Sequence, residues 1–153
     1  MKDAEFLKQH NVDLEKSLEL FGDMETYNET IKEFQTGIPK KLSEIENIVA
    51  IKEASGNLSQ IAEITHLCGD NLNIYSGNDD QIIPVLSLGG KGVISVLSNI
   101  MPKYTSEIVE KYLNGENKQA SNMQIEVANL IEYLFKEVNP IPIKEALKIL
   151  GFN

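Results

Sequence analysis

Residues 47–56 read NIVAIKEASG, an apolar run that ends in a lysine and a Ser-Gly turn. Four to eight apolar residues bounded by turn signals are typical of a strand that is buried on both faces. We therefore predict a first strand over residues 48–51, with Lys52 at its carboxyl end. In a barrel of alternating strands and helices, this is the end of the strands where catalytic groups lie.

Lys52 has two interpretations at this position. If the side chain is buried, the charged ammonium form is disfavoured, and the neutral amine can attack a carbonyl carbon to form a Schiff base. Alternatively, the stem packs while the head reaches solvent or pairs with Glu53. Since lysines are mostly exposed in proteins, this stretch by itself favours the second interpretation.

The chain downstream of Lys52 alternates between the two hydrophobic periods. Asn57 is a candidate N-cap for a helix with apolar residues at positions 58, 61, 64 and 67. A second strand is predicted over residues 72–75, a helix over 81–88 and a third strand over 92–96. Strand, helix, strand, helix, strand with short connections predicts right-handed parallel βαβ units.

The rest of the chain is predicted to be helical. Tyr104, Ile108 and Tyr112 share one helix face, apolar residues from Met123 to Val138 line one long helix, and a last helix follows the Pro-rich stretch at 140–142. The predicted organisation is a helical N-terminal segment over 1–40, a βαβαβ half barrel over 41–100 and C-terminal helices over 101–153. The predicted fold class is α/β: a partial (β/α)8 (TIM) barrel, because three strands are too few to close one.

Composition excludes several classes of function. The 153 residues carry a formal net charge of −9, which argues against nucleic acid and against anionic membranes as partners. No apolar run is long enough to cross a bilayer, and the first residues lack the apolar core of a signal peptide. Together with the single Cys68, these features predict a cytoplasmic protein without disulfides. His10 and His66 are far apart in sequence, so we predict no metal site.

Four stretches, at compatible spacings, carry a resemblance to a known family. They are IKEASGN at 51–57, YSGNDD at 75–80, GGKGVISV at 89–96 and NPIPIK at 139–144. From about residue 41 to 153, the chain closely resembles the C-terminal part of the dihydrodipicolinate (4-hydroxy-tetrahydrodipicolinate) synthases. These are class I aldolase-type barrels of the N-acetylneuraminate lyase superfamily.

The resemblance implies a function for three residues. Lys52 matches the family's Schiff-base lysine, which captures pyruvate as an imine, and this favours the catalytic interpretation of that residue. Ile94 matches a position whose backbone carbonyl lies beside the pyruvate, and Gly77 matches a loop glycine near the same pocket. Without the resemblance, Ile94 is an ordinary strand residue and Gly77 an ordinary turn residue. The implied reaction condenses pyruvate with aspartate 4-semialdehyde in diaminopimelate and lysine synthesis, without a cofactor.

The chain departs from the family in its front half. The Gly-Thr-Thr-Gly-Glu segment that grips the pyruvate carboxylate and the Tyr-Tyr-Asn-x-Pro segment with the proton-relay tyrosine are both absent. The arginine that usually binds the semialdehyde is also missing, since the sequence contains no arginine. We therefore expect weak or no turnover from this chain alone, with Tyr75 and Lys91 as candidate substitutes for the missing groups.

The N-terminal residues carry a different resemblance. Residues 11–27 resemble the opening helices of histidine-phosphotransfer (Hpt) domains, but neither histidine lies in a phosphorylation motif. We expect no phosphotransfer activity, and a truncated, recombined or deliberately chimeric gene would explain both halves. The alternative to an enzyme is a catalytically inactive half-barrel scaffold that self-associates to cover its open sheet. The open face would be covered by such dimerisation or by the first helices folding over it, and we expect a homo-oligomer.

Overall fold

The computed structural model describes Glu25, Glu29 and residues 37–152. Residues 37–43 are helical (α1), as are Glu25 and Glu29. The Hpt-like stretch and most of the predicted N-terminal helical segment lie outside the described residues. The elements that follow are β1 (Ala50–Glu53), α2 (Leu58–Cys68), β2 (Asn73–Ser76), α3 (Ile82–Ser87), β3 (Gly92–Val93), α4 (Pro102–Leu113), α5 (Asn117–Glu126), α6 (Ala128–Leu134) and α7 (Ile141–Ile149). Three 3-10 turns, Gly69–Asn71, Asp79–Gln81 and Leu97–Asn99, lie between them.

The three strands form one parallel sheet in the order β1-β2-β3. Lys52 pairs with Tyr75, and Tyr75 in turn pairs with Gly92, so these residues form one row across the sheet. The next row joins Glu53, Ser76 and Val93. The α/β class and the parallel βαβαβ order are therefore confirmed.

Helix α2 begins where the sequence provides a cap. The Asn57 side chain accepts hydrogen bonds from the backbone N–H groups of Ser59 (3.1 Å) and Gln60 (3.3 Å). These bonds satisfy two of the donors that the first turn leaves without helical partners. The helix then buries Ile61 and Ile64, each 1% exposed, against the sheet. Burying a side chain of this size contributes roughly 1.5–3 kcal/mol.

Two apolar clusters hold the described part of the chain together. One lies between α2 and the sheet and contains Ile61, Ile64, Cys68, Leu72, Ile74 and Val85. The other joins α3, α4 and the C-terminal helices and contains Ile82, Leu86, Val96, Leu97, Ile108, Val127, Ile131, Leu134 and Ile143. The first cluster packs on one face of the sheet. On the opposite face, α4 reaches the β3 end of the Lys52 row, where Cγ1 of Val109 would lie 3.9 Å from a Cβ at Gly92.

Side chains alternate between these two faces along β1. Glu53 is buried and Ile51 packs beside the first cluster, whereas Ala50 and Lys52 are exposed. In a closed barrel of this kind, the face without helices is the interior. The inner face of this half barrel is therefore exposed at β1, where Ala50 and Lys52 lie.

Several predicted boundaries were wrong. The first strand begins and ends two residues later than predicted, the second is shifted by one residue, and the third pairs over only two residues.

The predicted long helix over 123–138 is two helices, because Val127 leaves helical geometry at φ −97° and ψ 5°. The Gln124 side chain, at the end of α5, accepts from the N–H of Ile83 and donates to the carbonyl of Asp80. Both bonds tie α5 to the start of α3.

Candidate functional site

Lys52 lies on the open inner face of the sheet. It is the third of the four residues of β1, one residue before the end of the strand. In the sheet it pairs with Tyr75, which pairs with Gly92. The side chain is exposed, and none of the ion pairs found among the described residues involves it. The Lys52 side chain is thus in contact with solvent in this structure.

Gly77 contacts the stem of Lys52. A Cβ at position 77 would lie 2.9 Å from Cε of Lys52 and 2.5 Å from Cβ of Ala54. The Gly77 N–H donates to the carbonyl oxygen of Glu53 at 2.6 Å, which extends the β1–β2 pairing by one residue. The glycine therefore makes room for the lysine stem. Two of the three predicted site residues are thus in contact.

Ile94 lies directly beyond β3, next to the end of β2. Its N–H donates to the carbonyl oxygen of Ser76 at 2.8 Å. Ser76 is the residue before Gly77, so the backbones of the second and third predicted site residues are joined through one hydrogen bond. The Ile94 side chain is 49% exposed. All three predicted residues thus lie at the carboxyl ends of neighbouring strands.

Glu53 does not pair with Lys52, because adjacent residues of a strand point to opposite faces. Its Oε1 accepts from the N–H of Ser55 (3.0 Å) and from Nε2 of Gln60 (3.3 Å). The carboxylate is 6% exposed and holds the Ser-Gly turn against α2. An exposed Lys52 was expected either to reach solvent or to pair with Glu53. The structure excludes the pairing with Glu53.

The two candidate substitutes lie along the free edge of β3. The ring of Tyr75 packs on Gly92, where a Cβ would lie 3.3 Å from two ring carbons. Tyr75 and the exposed Lys91 line a groove of about 320 Å³ between β3 and α4. The Tyr75 ring is thus directed toward β3, away from β1. This arrangement favours Tyr75 as a wall of the groove over a direct partner of the Lys52 amine.

A larger cleft of about 840 Å³ lies at the carboxyl ends of β1 and β2. It separates the loops that carry Gly56 and Asn78 from helices α5 and α6. Asp80, Glu132 and Lys136 bring charges of both signs to its walls, and Phe135 contributes apolar surface. Lys52 does not line this cleft, so the cleft is separate from the predicted reacting amine.

The sequence reasoning missed the buried Asp79, which lies two residues after Gly77. It is 0% exposed, and its Oδ2 accepts from the N–H groups of Val96 and Leu97, each at 2.9 Å. The pair Asp79-Asp80 after a Ser-Gly-Asn turn predicts acidic capping, but not which acid is buried. In the structure Asp79 is buried and Asp80 is exposed.

Neither a metal-binding cluster nor a membrane-spanning helix is present in the described part of the chain. That part holds no group of three or more histidine, cysteine or acidic residues arranged to bind a metal ion. Cys68 is buried and has a free thiol. None of the described helices is long and apolar enough to span a bilayer.

Comparison with known proteins identifies the family. Residues 28–153 match the model of the dihydrodipicolinate synthetase family. The chain belongs to this family. The 4-hydroxy-tetrahydrodipicolinate synthase of Caldicellulosiruptor saccharolyticus is 60% identical over 114 residues, which are 74% of this chain and 38% of that protein. The enzyme of the same name from Clostridium perfringens is 56% identical over 113 residues, which are 74% of this chain and 39% of that protein.

Solved structures of the family share the fold. Dihydrodipicolinate synthase from Aquifex aeolicus aligns with a TM-score of 0.72 at 39% identity, over 76% of this chain and 40% of that one. A chloride-inhibited dihydrodipicolinate synthase from Acinetobacter baumannii, complexed with pyruvate, aligns with a TM-score of 0.73 at 35% identity. The alignment covers 77% of this chain and 41% of that one. The partial (β/α)8 barrel and the predicted resemblance are thereby confirmed. The chain spans about two fifths of the length of these family members.

Proposed function

We propose that this chain carries the pyruvate-capturing centre of a 4-hydroxy-tetrahydrodipicolinate synthase, with Lys52 as the Schiff-base lysine and Gly77 and Ile94 as substrate-binding residues. The observation that carries the proposal is the contact of the Lys52 stem with Gly77, beside the Ser76–Ile94 hydrogen bond, at the carboxyl ends of the strands. The pyruvate complex of the Acinetobacter baumannii family member supports pyruvate as the first substrate.

The proposed chemistry begins with the neutral Lys52 amine. Its lone pair attacks the keto carbon of pyruvate, the carbonyl oxygen takes up a proton, and loss of water from the carbinolamine gives the imine. Loss of a methyl proton then gives an enamine, whose carbon adds to the aldehyde of aspartate 4-semialdehyde. Imine formation requires only the amine and a bound keto acid, whereas full turnover also requires a proton relay and an anion clamp in fixed geometry.

The exposure of Lys52 sets the expected rate. An exposed amine lacks the exclusion of water that a closed active site provides for this reaction. The covering layer that would exclude water from Lys52 is not among the described residues. We therefore propose that the chain alone forms the imine slowly and turns over weakly or not at all.

Borohydride trapping tests the proposal. The chain is incubated with pyruvate, reduced and digested, and the modified peptide is identified by mass spectrometry. We expect one reduced pyruvate unit on Lys52 in preference to the exposed Lys103, and we expect Lys52→Met to lose it while Lys103→Met keeps it. Equal labelling of both lysines, or no labelling of Lys52, would refute the proposal.

The second candidate function is a half-barrel scaffold that self-associates. The inner face favours it: Ala50 and Lys52 are exposed, Ile94 is 49% exposed, and β1 and β3 each have a free edge among the described residues. A free strand edge is a template for pairing with another chain. Sedimentation velocity of the wild type and of Ala50→Asp, which places a charge on the inner face, separates the cases. We expect a homo-oligomer that the aspartate weakens, whereas a monomer at all concentrations excludes this function.

The remaining assignments follow from the proposed function. We propose aspartate 4-semialdehyde as the second substrate, diaminopimelate and lysine synthesis as the pathway, the cytoplasm as the location, and no cofactor. We also propose the division of the chain at residues 40 and 100. Limited proteolysis checks the division, since cleavage near those positions is expected before cleavage inside the βαβαβ unit.

A further inference from the structure

A fully buried carboxylate lies between the two loops that carry Gly77 and Ile94. Asp79 begins the 3-10 turn after β2 and is 0% exposed. Its Oδ2 accepts from the N–H of Val96 and of Leu97, each at 2.9 Å. Hydrogen bonds to a charged acceptor are about twice as strong as those between neutral groups. The loop after β2 therefore holds the loop after β3 through a single oxygen atom.

These two bonds hold the backbone that follows Ile94 in the chain. On the N-terminal side of the Ile94 carbonyl, the N–H of Ile94 itself donates to the carbonyl of Ser76. On its C-terminal side, the backbone N–H groups of Val96 and Leu97, two and three residues after Ile94, donate to Asp79. Regular strand pairing has already ended at Val93. The orientation of the Ile94 carbonyl is thus set by two anchors that both belong to the segment 76–79.

The cost of burying Asp79 argues for more than a cap. Its Oδ1 is also buried and has no hydrogen-bond partner among the described residues. A buried carboxylate with one unsatisfied oxygen is costly, whereas a neutral asparagine would accept the same two bonds without burying a charge. The turn that it caps, Leu97–Asn99, has only three residues. The charged carboxylate therefore holds the loop after β3 more strongly than a neutral cap would.

We propose that Asp79 is a positioning residue that aims the Ile94 carbonyl at the keto acid bound to Lys52. The inference rests on the proposed function. It assigns Asp79 no contact with the substrate, because Oδ2 is occupied by two backbone donors. Loss of the carboxylate loosens residues 94–97 and weakens the binding of pyruvate, while the Lys52 amine and its neighbour Gly77 are unchanged.

The test separates binding from chemistry. Borohydride trapping at a series of pyruvate concentrations gives the half-saturating concentration and the limiting rate for wild type, Asp79→Ala, Asp79→Asn and Asp79→Glu. We expect Asp79→Ala to raise the half-saturating concentration about tenfold, as for the loss of charge-assisted bonds, with the limiting rate within about twofold. Asp79→Asn keeps an oxygen acceptor without the charge and recovers only part of the loss. Asp79→Glu moves the acceptor by one methylene and does not.

Amide exchange and a matched control complete the experiment. The N–H groups of Val96 and Leu97 are expected to exchange faster in Asp79→Ala than in wild type. Asp70→Ala removes the same charge from an exposed turn and leaves both pyruvate parameters and both amides unchanged. If Asp79→Ala does not fold, the comparison of Asp79→Asn with Asp79→Glu carries the test.

The outcomes distinguish the two proposals. No adduct in the wild-type chain overturns the proposed function, and the inference falls with it. An adduct in the wild-type chain with the same half-saturating concentration in Asp79→Ala overturns the inference alone. A fall in the limiting rate without a change in half-saturation also overturns it, because that result indicates general damage to the Lys52 site.

Discussion

Gly77 leaves the space that the Lys52 side chain occupies. A Cβ on residue 77 would lie 2.9 Å from Cε of Lys52 and 2.5 Å from Cβ of Ala54. Lysine can swing its flexible end away, but Ala54 is fixed to the backbone beside β1. A side chain at position 77 therefore forces the turn after β2 away from the end of β1.

The first prediction follows from this contact. Gly77→Ala is expected to destabilise the chain by about 1–3 kcal/mol, the usual effect of overpacking. It is also expected to slow the trapping of pyruvate on Lys52 by roughly tenfold or more, because the amine is displaced. Trapping rates and denaturant unfolding measure the two effects. Adding Ala54→Gly removes the backbone-attached contact, so the double variant should recover stability without recovering the full trapping rate. Unchanged trapping in Gly77→Ala would contradict the role of this contact.

The second prediction concerns the cap of α2. Asn57 accepts from the N–H groups of Ser59 and Gln60, directly after the Ser-Gly turn that follows Lys52. Asn57→Ala is expected to lower the free energy of unfolding by about 1 kcal/mol. Asn71→Ala is the control, since Asn71 is exposed in a short turn and a surface change there is expected to stay within about 0.5 kcal/mol. Equal effects of the two changes would refute the capping role.

The order of the elements could be predicted from the sequence because it depends on local chemistry. Apolar runs closed by glycines marked the three strands, and Asn57 marked the start of α2, as observed. The end of α5 could not be predicted in this way. The Gln124 side chain bonds to the backbone at Asp80 and Ile83, more than forty residues earlier in the chain. Periodicity does not contain such a contact, so one long helix was predicted where two occur.

The candidate site was predictable to a similar extent. Lys52, Gly77 and Ile94 were identified by resemblance, and they lie at the ends of neighbouring strands. The environment of Lys52 was not predictable, because its burial depends on what covers the inner face rather than on its own strand. The sequence also gave no reason to bury Asp79 in preference to Asp80. That choice depends on two backbone donors in the loop after β3.

The third prediction tests the larger apolar cluster. Ile108 is 0% exposed in the middle of α4, against residues of α3 and of the C-terminal helices. Ile108→Ala is expected to lower the free energy of unfolding by about 2–5 kcal/mol, through lost burial and the cavity left behind. Leu113→Ala on the same helix is the matched control, because Leu113 is 57% exposed. A loss no larger than that of the control would show that this cluster does not hold α4 in place.

The fourth prediction concerns stability at high pH. The hydroxyl of Tyr104 donates to Oε2 of Glu126 at 2.7 Å and to the carbonyl of Met123 at 3.2 Å, which ties α4 to α5. Burial, together with the hydrogen bond to Glu126, raises the pKa of Tyr104 from 10.0 to about 12. The native state thus holds this proton more tightly than the unfolded chain does. The contribution of Tyr104 to stability is complete below pH 10 and is lost as the pH rises through 12.

Tyr104→Phe isolates this effect. The difference in unfolding free energy between wild type and Tyr104→Phe is expected to be constant below pH 10 and to shrink between pH 10 and 12, because phenylalanine has no proton to lose. An ultraviolet titration of the folded protein should show one late-ionising tyrosine that disappears in the variant. Tyr133→Phe, which alters a tyrosine that is 66% exposed, should leave that late step in place. A difference that stays constant up to pH 12 would mean that the Tyr104 hydroxyl does not bind its proton more tightly in the folded chain.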